Sequence, residues 1–160
     1  MKYGRRAGAI RSQRGIAAVE LAVLLPAIMI FMVALPLFFG RVLWHYTVIH
    51  KAAHDATRYL ATVPLADMKN PARAAAAIKV AQYIAAQETE ELKPGGVYPV
   101  DVQVSCAPAG CLNGNWGTVK VLVSLTMFDP FFPKITETIG IDPSAGVPIY
   151  TELEMYYVGT

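Results

Sequence analysis

Three groups of residues in this 160-residue chain could carry chemistry, and each asks for a different kind. Cys106 and Cys111 enclose Ala107, Pro108, Ala109 and Gly110. A pair so spaced can close a disulfide, stay as two thiols, or supply half of a metal site. The Cys-x-x-Cys spacing of a redox helix is not there, nor is the second ligand pair that a zinc site needs. His50 and His54 have the i, i+4 spacing of the two ligands in a His-Glu-x-x-His zinc helix, but Lys51 stands where that motif needs its glutamate base. A cation there repels a metal, and His45 lies on another flank of the same helix, so polar helix surface is the expected role and no metal is expected. The third group is one carboxylate, Glu20, placed directly before residues 21 to 39, a run of 19 residues without a charge.

That run suits a helix crossing the ~30 Å hydrocarbon core of a bilayer. An ionised carboxylate inside such a window costs roughly 2.5–3.5 kcal/mol unless it finds a partner or sits near the interface, so Glu20 asks for a function. No cofactor or enzymatic activity is expected from the rest. Gly95-Gly96 follows a helical stretch and has no lysine or helix start to cradle phosphate, and no Ser-His-Asp or Cys-His signature stands out.

Composition agrees with an embedded helix: 54% of residues are hydrophobic and 16% charged. The net charge of +2 misleads, because Lys2, Arg5, Arg6, Arg11 and Arg14 all precede Gly15, and without those five the chain carries −3. The cations are thus concentrated in the short N-terminal leader rather than in a patch on a folded domain, and nucleic-acid binding is not expected. Lys and Arg flanking a membrane helix stay cytoplasmic, which puts the C-terminal part across the membrane in an oxidising compartment and favours the disulfide. A conventional secretory signal fits poorly, since its apolar core is ~7–15 residues and is followed by a small-x-small cleavage site.

A basic leader ending in Gly15, a new first residue at Ile16, and Glu20 at the fifth position after the glycine resemble the processing and assembly signature of type IV pilins and pseudopilins. The wider context, RGIAAVELAVLLP, then FGRV, then AAHDATRYLA, resembles the TadE-like minor pilins of the tight-adherence (Tad, Flp) system over about residues 14 to 61. The resemblance implies cleavage after Gly15 by a prepilin peptidase, an N-methylated Ile16, and partners among other pilin or pseudopilin subunits and the Tad inner-membrane assembly proteins. It also implies that Glu20 faces the Ile16 amine, on a neighbouring subunit.

Beyond Gly40 the helical period continues: Val42, Tyr46, Ile49, Ala53, Ala56 and Leu60 lie on one stripe, with Thr47, Lys51, His54, Asp55, Arg58 and Thr62 opposite. Asp55 can pair with Lys51 and Arg58 at i−4 and i+3. Val63-Pro64 ends this stalk. Asn70-Pro71 starts a second helix, running to about Glu91 with Ala74, Ile78, Ala81, Ala85 and Leu92 as its apolar face, and Lys93-Pro94-Gly95-Gly96 stops it. The period then becomes two. Val100, Val102, Val104 and Cys106 alternate with polar residues, and Val119, Val121, Val123, Leu125 and Met127 alternate with Lys120, Leu122, Ser124 and Thr126. In residues 147 to 158, Ile149, Leu153, Met155 and Tyr157 face one way. Phe131-Phe132 is expected to cap the core rather than serve as an exposed partner site, and a helical turn is expected at residues 135 to 139.

The expected architecture is α+β: a long N-terminal transmembrane and amphipathic helix, a second helix, and a small three-stranded antiparallel sheet. Residues 1–15 form a cytoplasmic leader, 16–40 the membrane helix, 41–62 the stalk and 63–160 an extracytoplasmic domain. The expected function is structural, a minor pilin or pseudopilin precursor in the bacterial inner membrane that can enter a surface adhesion pilus. The rival is a single-pass anchored periplasmic binding module or enzyme, for which the helix is only a tether.

Overall fold

The structure, a computed structural model, describes residues 10–92, 100–108, 110–111, 116–128, 137, 140, 142 and 145–159. The chain divides into two compact units, Met1–Phe39 and Gly40–Thr160. Helix α1 (Ile10–Thr62) contributes its first part to one and its last part to the other. It runs through both Pro26 and Pro36. Each proline removes the amide that would bond the carbonyl four residues back, at Ala22 and Met32, which a helix in water tolerates badly and a membrane helix tolerates with neighbours to resatisfy it.

In the second unit α1 buries Ile49, Ala52, Ala53, Ala56, Thr57, Leu60 and Ala61. The anticipated stripe is therefore real but wider, and it is rotated: Tyr46 is 43% exposed, while His45, expected on the polar surface, is only 2% exposed. Alanines at 52, 53 and 56 have no bulk to hold neighbours off, so their flanks are covered too, and Thr57 is accommodated by donating its hydroxyl to the Ala53 carbonyl at 2.6 Å. The expected Asp55 pairing with Lys51 is replaced by a longer-range one, because Lys51 Nζ reaches Glu88 on the second long helix.

α1 stops before Val63-Pro64, and a single turn, α2 (Leu65–Met68), follows. Its start is held by Asp67 and Met68 amides donating to the Pro64 carbonyl at 3.0 and 3.1 Å, and Met68 is fully buried. Four residues show no period to read, so the turn was not legible in advance. Helix α3 (Pro71–Thr89) begins as its sequence dictates: Asn70 Oδ1 accepts from the amides of Ala72 at 3.0 Å and Arg73 at 3.5 Å, with proline at the first position. It buries Ala74, Ala77, Ala81 and Ala85, whereas Ile78 is only half-buried. The contact line tracks the small residues, which let the helix approach β1 closely enough for Gln82 Nε2 to donate to the Val102 carbonyl at 3.2 Å. A short 3-10 turn (Glu90–Leu92) ends it.

Strands β1 (Asp101–Pro108), β2 (Trp116–Met127) and β3 (Val147–Tyr156) form an antiparallel sheet in the order β1-β2-β3. The register sets Val102, Val104 and Cys106 opposite Val123, Val121 and Val119, and those opposite Thr151, Leu153 and Met155. All the apolar positions of the three period-two runs thus fall on one face. Val119, Val121 and Val123 are fully buried at its centre, and Lys120 pairs with Glu152 on the other face. The fold is the expected α+β arrangement. Phe131-Phe132, the stop at 93 to 96 and all of the turn at 135 to 139 except Glu137, which is helical, lie outside the described residues.

Two positions test this packing. Gly146 has φ +70°, and a Cβ there would lie 2.6 Å from Thr126 Cγ2 and 2.9 Å from the Met127 carbonyl oxygen. Gly146→Ala should lower stability by about 1–3 kcal/mol, read as the unfolding temperature of the full chain in detergent. His45 donates from Nδ1 to the Arg41 carbonyl at 2.8 Å. Burial first, and the Arg41 charge as well, hold its imidazole below the ordinary 6.5 against the raising effect of that hydrogen bond. The folded state then binds fewer protons than the unfolded one, so the His45 contribution is full above pH 6.5 and is lost as pH falls through the lowered value. The unfolding temperature should drop from about pH 7.5 to about pH 5, and less so in His45→Gln, which does not titrate. Equal drops in parent and variant would show that His45 is not the group responsible.

Candidate functional site

The candidate site is the head of α1. Gly15, Ile16 and Glu20 all lie within the helix, and Gly15 and Glu20 are exposed. From Ile16 to Glu20 is one i, i+4 step, about 6 Å along the axis and on nearly the same face. Glycine in a helix interior costs about 1 kcal/mol relative to alanine, so it is kept where a side chain cannot be accommodated. Yet a Cβ at Gly15 would meet nothing within 4 Å. Neither α1 nor its surroundings among the described residues gives a reason for glycine there.

After Glu20 the surface is apolar all the way round. Val19, Leu21, Val23, Leu24, Leu25, Ile28, Met29, Ile30, Phe31, Met32 and Val33 are each more than half exposed, and among residues 18–39 only Ala34 and Phe38 are buried. This stretch passes, by length and composition, for a membrane-crossing helix, and most of its surface is covered by no protein. So large an apolar surface marks a lipid or subunit contact.

The cysteines belong to the other unit. Gly110, with φ +82°, donates its amide to the Cys106 carbonyl at 2.9 Å, and this turn brings Cys111 back beside Cys106. Their Cα atoms are 4.7 Å apart, their sulfurs are at bonding distance, and both residues are buried. The histidines do not converge. His45 points into the packed side of α1, while His54 Nδ1 lies 3.2 Å from Asp55 Oδ1 and His50 is exposed. Among the described residues no group of three or more His, Cys, Asp or Glu is placed to hold a metal.

Sequence reasoning did not find an open groove of about 500 Å³ at the end of α1, lined by Tyr59, Pro64, Asp67, Arg73, Ala77 and Val80 among others. Arg73 and Asp67 are paired across 2.8 Å within it, so its charges are mutually satisfied. No signal short of the fold could have found it, because its walls come from α1, α2 and α3 together.

Residues 15–58 match the family model described as TadE-like protein. The match begins at Gly15, contains Glu20 and the whole apolar stretch, and ends inside α1, without reaching α3 or the sheet. It points to a Tad pilus-related protein. No curated protein and no solved structure matches the chain.

Closing a loop as short as that between Cys106 and Cys111 constrains the unfolded chain by on the order of 2 kcal/mol. Protein isolated from the cell envelope should therefore carry no free thiol after denaturation, and mild reduction should lower its unfolding temperature. Labelling of both cysteines without reduction would show that the pair stays open.

Proposed function

We propose that the chain is the precursor of a structural minor pilin or pseudopilin of a Tad-type pilus, cut after Gly15 by a prepilin peptidase. The observation that carries this reading is the glycine itself. Its smallness answers no contact among the described residues, it disfavours the helix it sits in, and the family match begins with it. A requirement for glycine that the folded chain does not impose is one that an external reader of the chain imposes. A peptidase that must open the backbone between Gly15 and Ile16 benefits from a residue that loosens the helix there and presents no side chain.

The cationic residues before Gly15 keep that end in the cytoplasm, and the Gly40–Thr160 unit then folds on the periplasmic side, where a disulfide can form. Removal of the leader turns Ile16 into a new cationic N-terminus four residues before Glu20. In lipid Glu20 is a liability near the edge of the apolar run. In a filament core it becomes a counter-charge, with the Ile16 amine of an adjacent subunit as its partner, and the surrounding apolar side chains pack against those of other pilin subunits and of the assembly proteins in the inner membrane. The role is structural, as befits a TadE-like pilus protein, and needs no catalytic group.

Two variants separate this reading from that of a simple tether. Gly15→Val should leave the protein at full length in the inner membrane, whereas the parent is shortened by about 15 residues, seen on a gel and by intact mass. Shortening of the variant to the same product would remove the main support. Glu20→Ala should insert and be cut normally but fail to copurify with the other pilus subunits, because an unpaired Ile16 amine in a dry core costs roughly 3–5 kcal/mol. For a tether the same change would be neutral or helpful to insertion. Assembly of Glu20→Ala at the parent's level would favour the anchored-module alternative.

A further inference from the structure

Two outward carbonyls at the β1 edge of the sheet have partners. On β1 the Val102 carbonyl is taken by Gln82 of α3, and the Cys106 carbonyl by the Gly110 amide. Those two bonds also identify the outward-facing residues of β1 as the even-numbered ones. By the alternation of an antiparallel ladder, the even residues of β2 then bond β1 and its odd residues bond β3. On β3 the odd residues Ile149, Thr151, Leu153 and Met155 therefore face β2. The outward groups are those of Pro148, Tyr150, Glu152, Glu154 and Tyr156. Pro148, which has no amide, sits where none is needed. Just past the strand, the Val158 amide donates to the Ala61 carbonyl at 3.0 Å, so α1 covers the edge only at its end. From Tyr150 to Tyr156 no backbone partner for the outward groups is found among the described residues.

An open edge of this length invites another strand. Its charges decide which. The side chains of Tyr150, Glu152, Glu154 and Tyr156 share the exposed face, with Tyr150 70% and Tyr156 81% exposed. A second copy pairing antiparallel about its own Glu152 or Glu154 would set a glutamate against itself. Pairing about Leu153 would set Glu152 against Glu154 twice. Like charges directly opposite are destabilising. Lys120 already answers Glu152 from the β2 side, whereas Glu154 has no ion-pair partner among the described residues. A strand with cations at alternate positions meets this row, and the flanking tyrosine rings offer their faces to the same cations.

We propose that the outer edge of β3 is a strand-addition site for an extended segment of a different protein subunit that carries Lys or Arg at alternate positions. The edge exists whether or not the head of α1 is a processing site. Backbone hydrogen bonds from Tyr150, Glu152, Glu154 and Tyr156 would supply affinity, and Glu154 the selectivity.

The test uses the full chain in detergent micelles and residue-resolved amide exchange. The probe is a capped peptide of about eight residues alternating valine and lysine, the length of an ordinary strand. Before it is added, the amides of Tyr150, Glu152, Glu154 and Tyr156 should exchange much faster than those of Thr151, Leu153 and Met155. Bound peptide should slow the first set by about tenfold or more and leave the second unchanged, because only the outward amides gain partners. Glu154→Gln should weaken binding roughly two- to fivefold, as expected for one cross-strand ion pair. Glu154→Pro, which removes an outward amide and no ladder bond to β2, should abolish binding. The alternation of protected residues in the parent decides the matter even if the proline variant unfolds. Slow exchange of the outward amides without peptide would overturn the proposal, and a particle mass of two chains would then identify a second copy as the occupant. Equal protection by an alternating valine and glutamate peptide would also overturn it, as would unchanged binding to a folded Glu154→Pro.

Discussion

One helix has to satisfy two surroundings, and the rest of the chain follows from that constraint. Between Glu20 and Gly40 the surface of α1 is apolar on every side, and beyond Trp44 its buried residues lie along one. A helix of the first kind has no reason to pack on a small domain of its own and every reason to remain in lipid or among similar helices. A helix of the second kind cannot hide its stripe except against a partner, and α3 and the sheet form one compact unit with it. Glu20 stands where the first kind begins, which is why a single carboxylate there carries more meaning than the others in the chain.

The second unit is held by close approach rather than by bulk. Alanines line both helices, at 52, 53 and 56 on α1 and at 74, 77, 81 and 85 on α3. Burying an alanine removes little apolar area, so the larger contributions come from Ile49, Leu60, Met68, Met127 and the valines of β2. Small residues decide the geometry and large ones contribute most of the energy. The same closeness lets polar contacts pin the elements: Lys51 to Glu88, Gln82 to Val102, Tyr157 Oη to the Val63 carbonyl, and Val158 to Ala61. They hold α1 to α3, α3 to β1, and the segment after β3 to the end of α1.

An asymmetry results. α3 reaches β1 through Gln82, which takes the Val102 carbonyl, while α1 meets only the end of β3. An apolar helix surface and an acidic strand edge with no backbone partner among the described residues are two dissimilar surfaces on one chain, the first suited to a dry environment and the second to water. The cysteine pair sits at the far end of β1 and shortens the turn there.

Much of this was legible from residue order alone, wherever the governing interaction is local. The period-two runs by themselves put Val102, Val121 and Leu153 on one face, because side chains of a strand alternate whatever their neighbours are. Asn70-Pro71 announced the start of α3, because a cap is made within a few residues. Gly15 and Glu20 could be singled out because their spacing and the uncharged run after them are properties of a short stretch. Only the tertiary structure decided that His45 is buried and Tyr46 is not, that Ala77 rather than Ile78 faces inward, and that Lys51 answers Glu88 rather than Asp55. It alone also decided that Gln82 and Gly110 take two outward carbonyls of β1 while the outward groups of β3 from Tyr150 to Tyr156 find no backbone partner among the described residues. Each of these depends on which segment arrives opposite, and at what distance. A helix period defines a stripe only to within about one residue's rotation, and the partner's shape sets the rest.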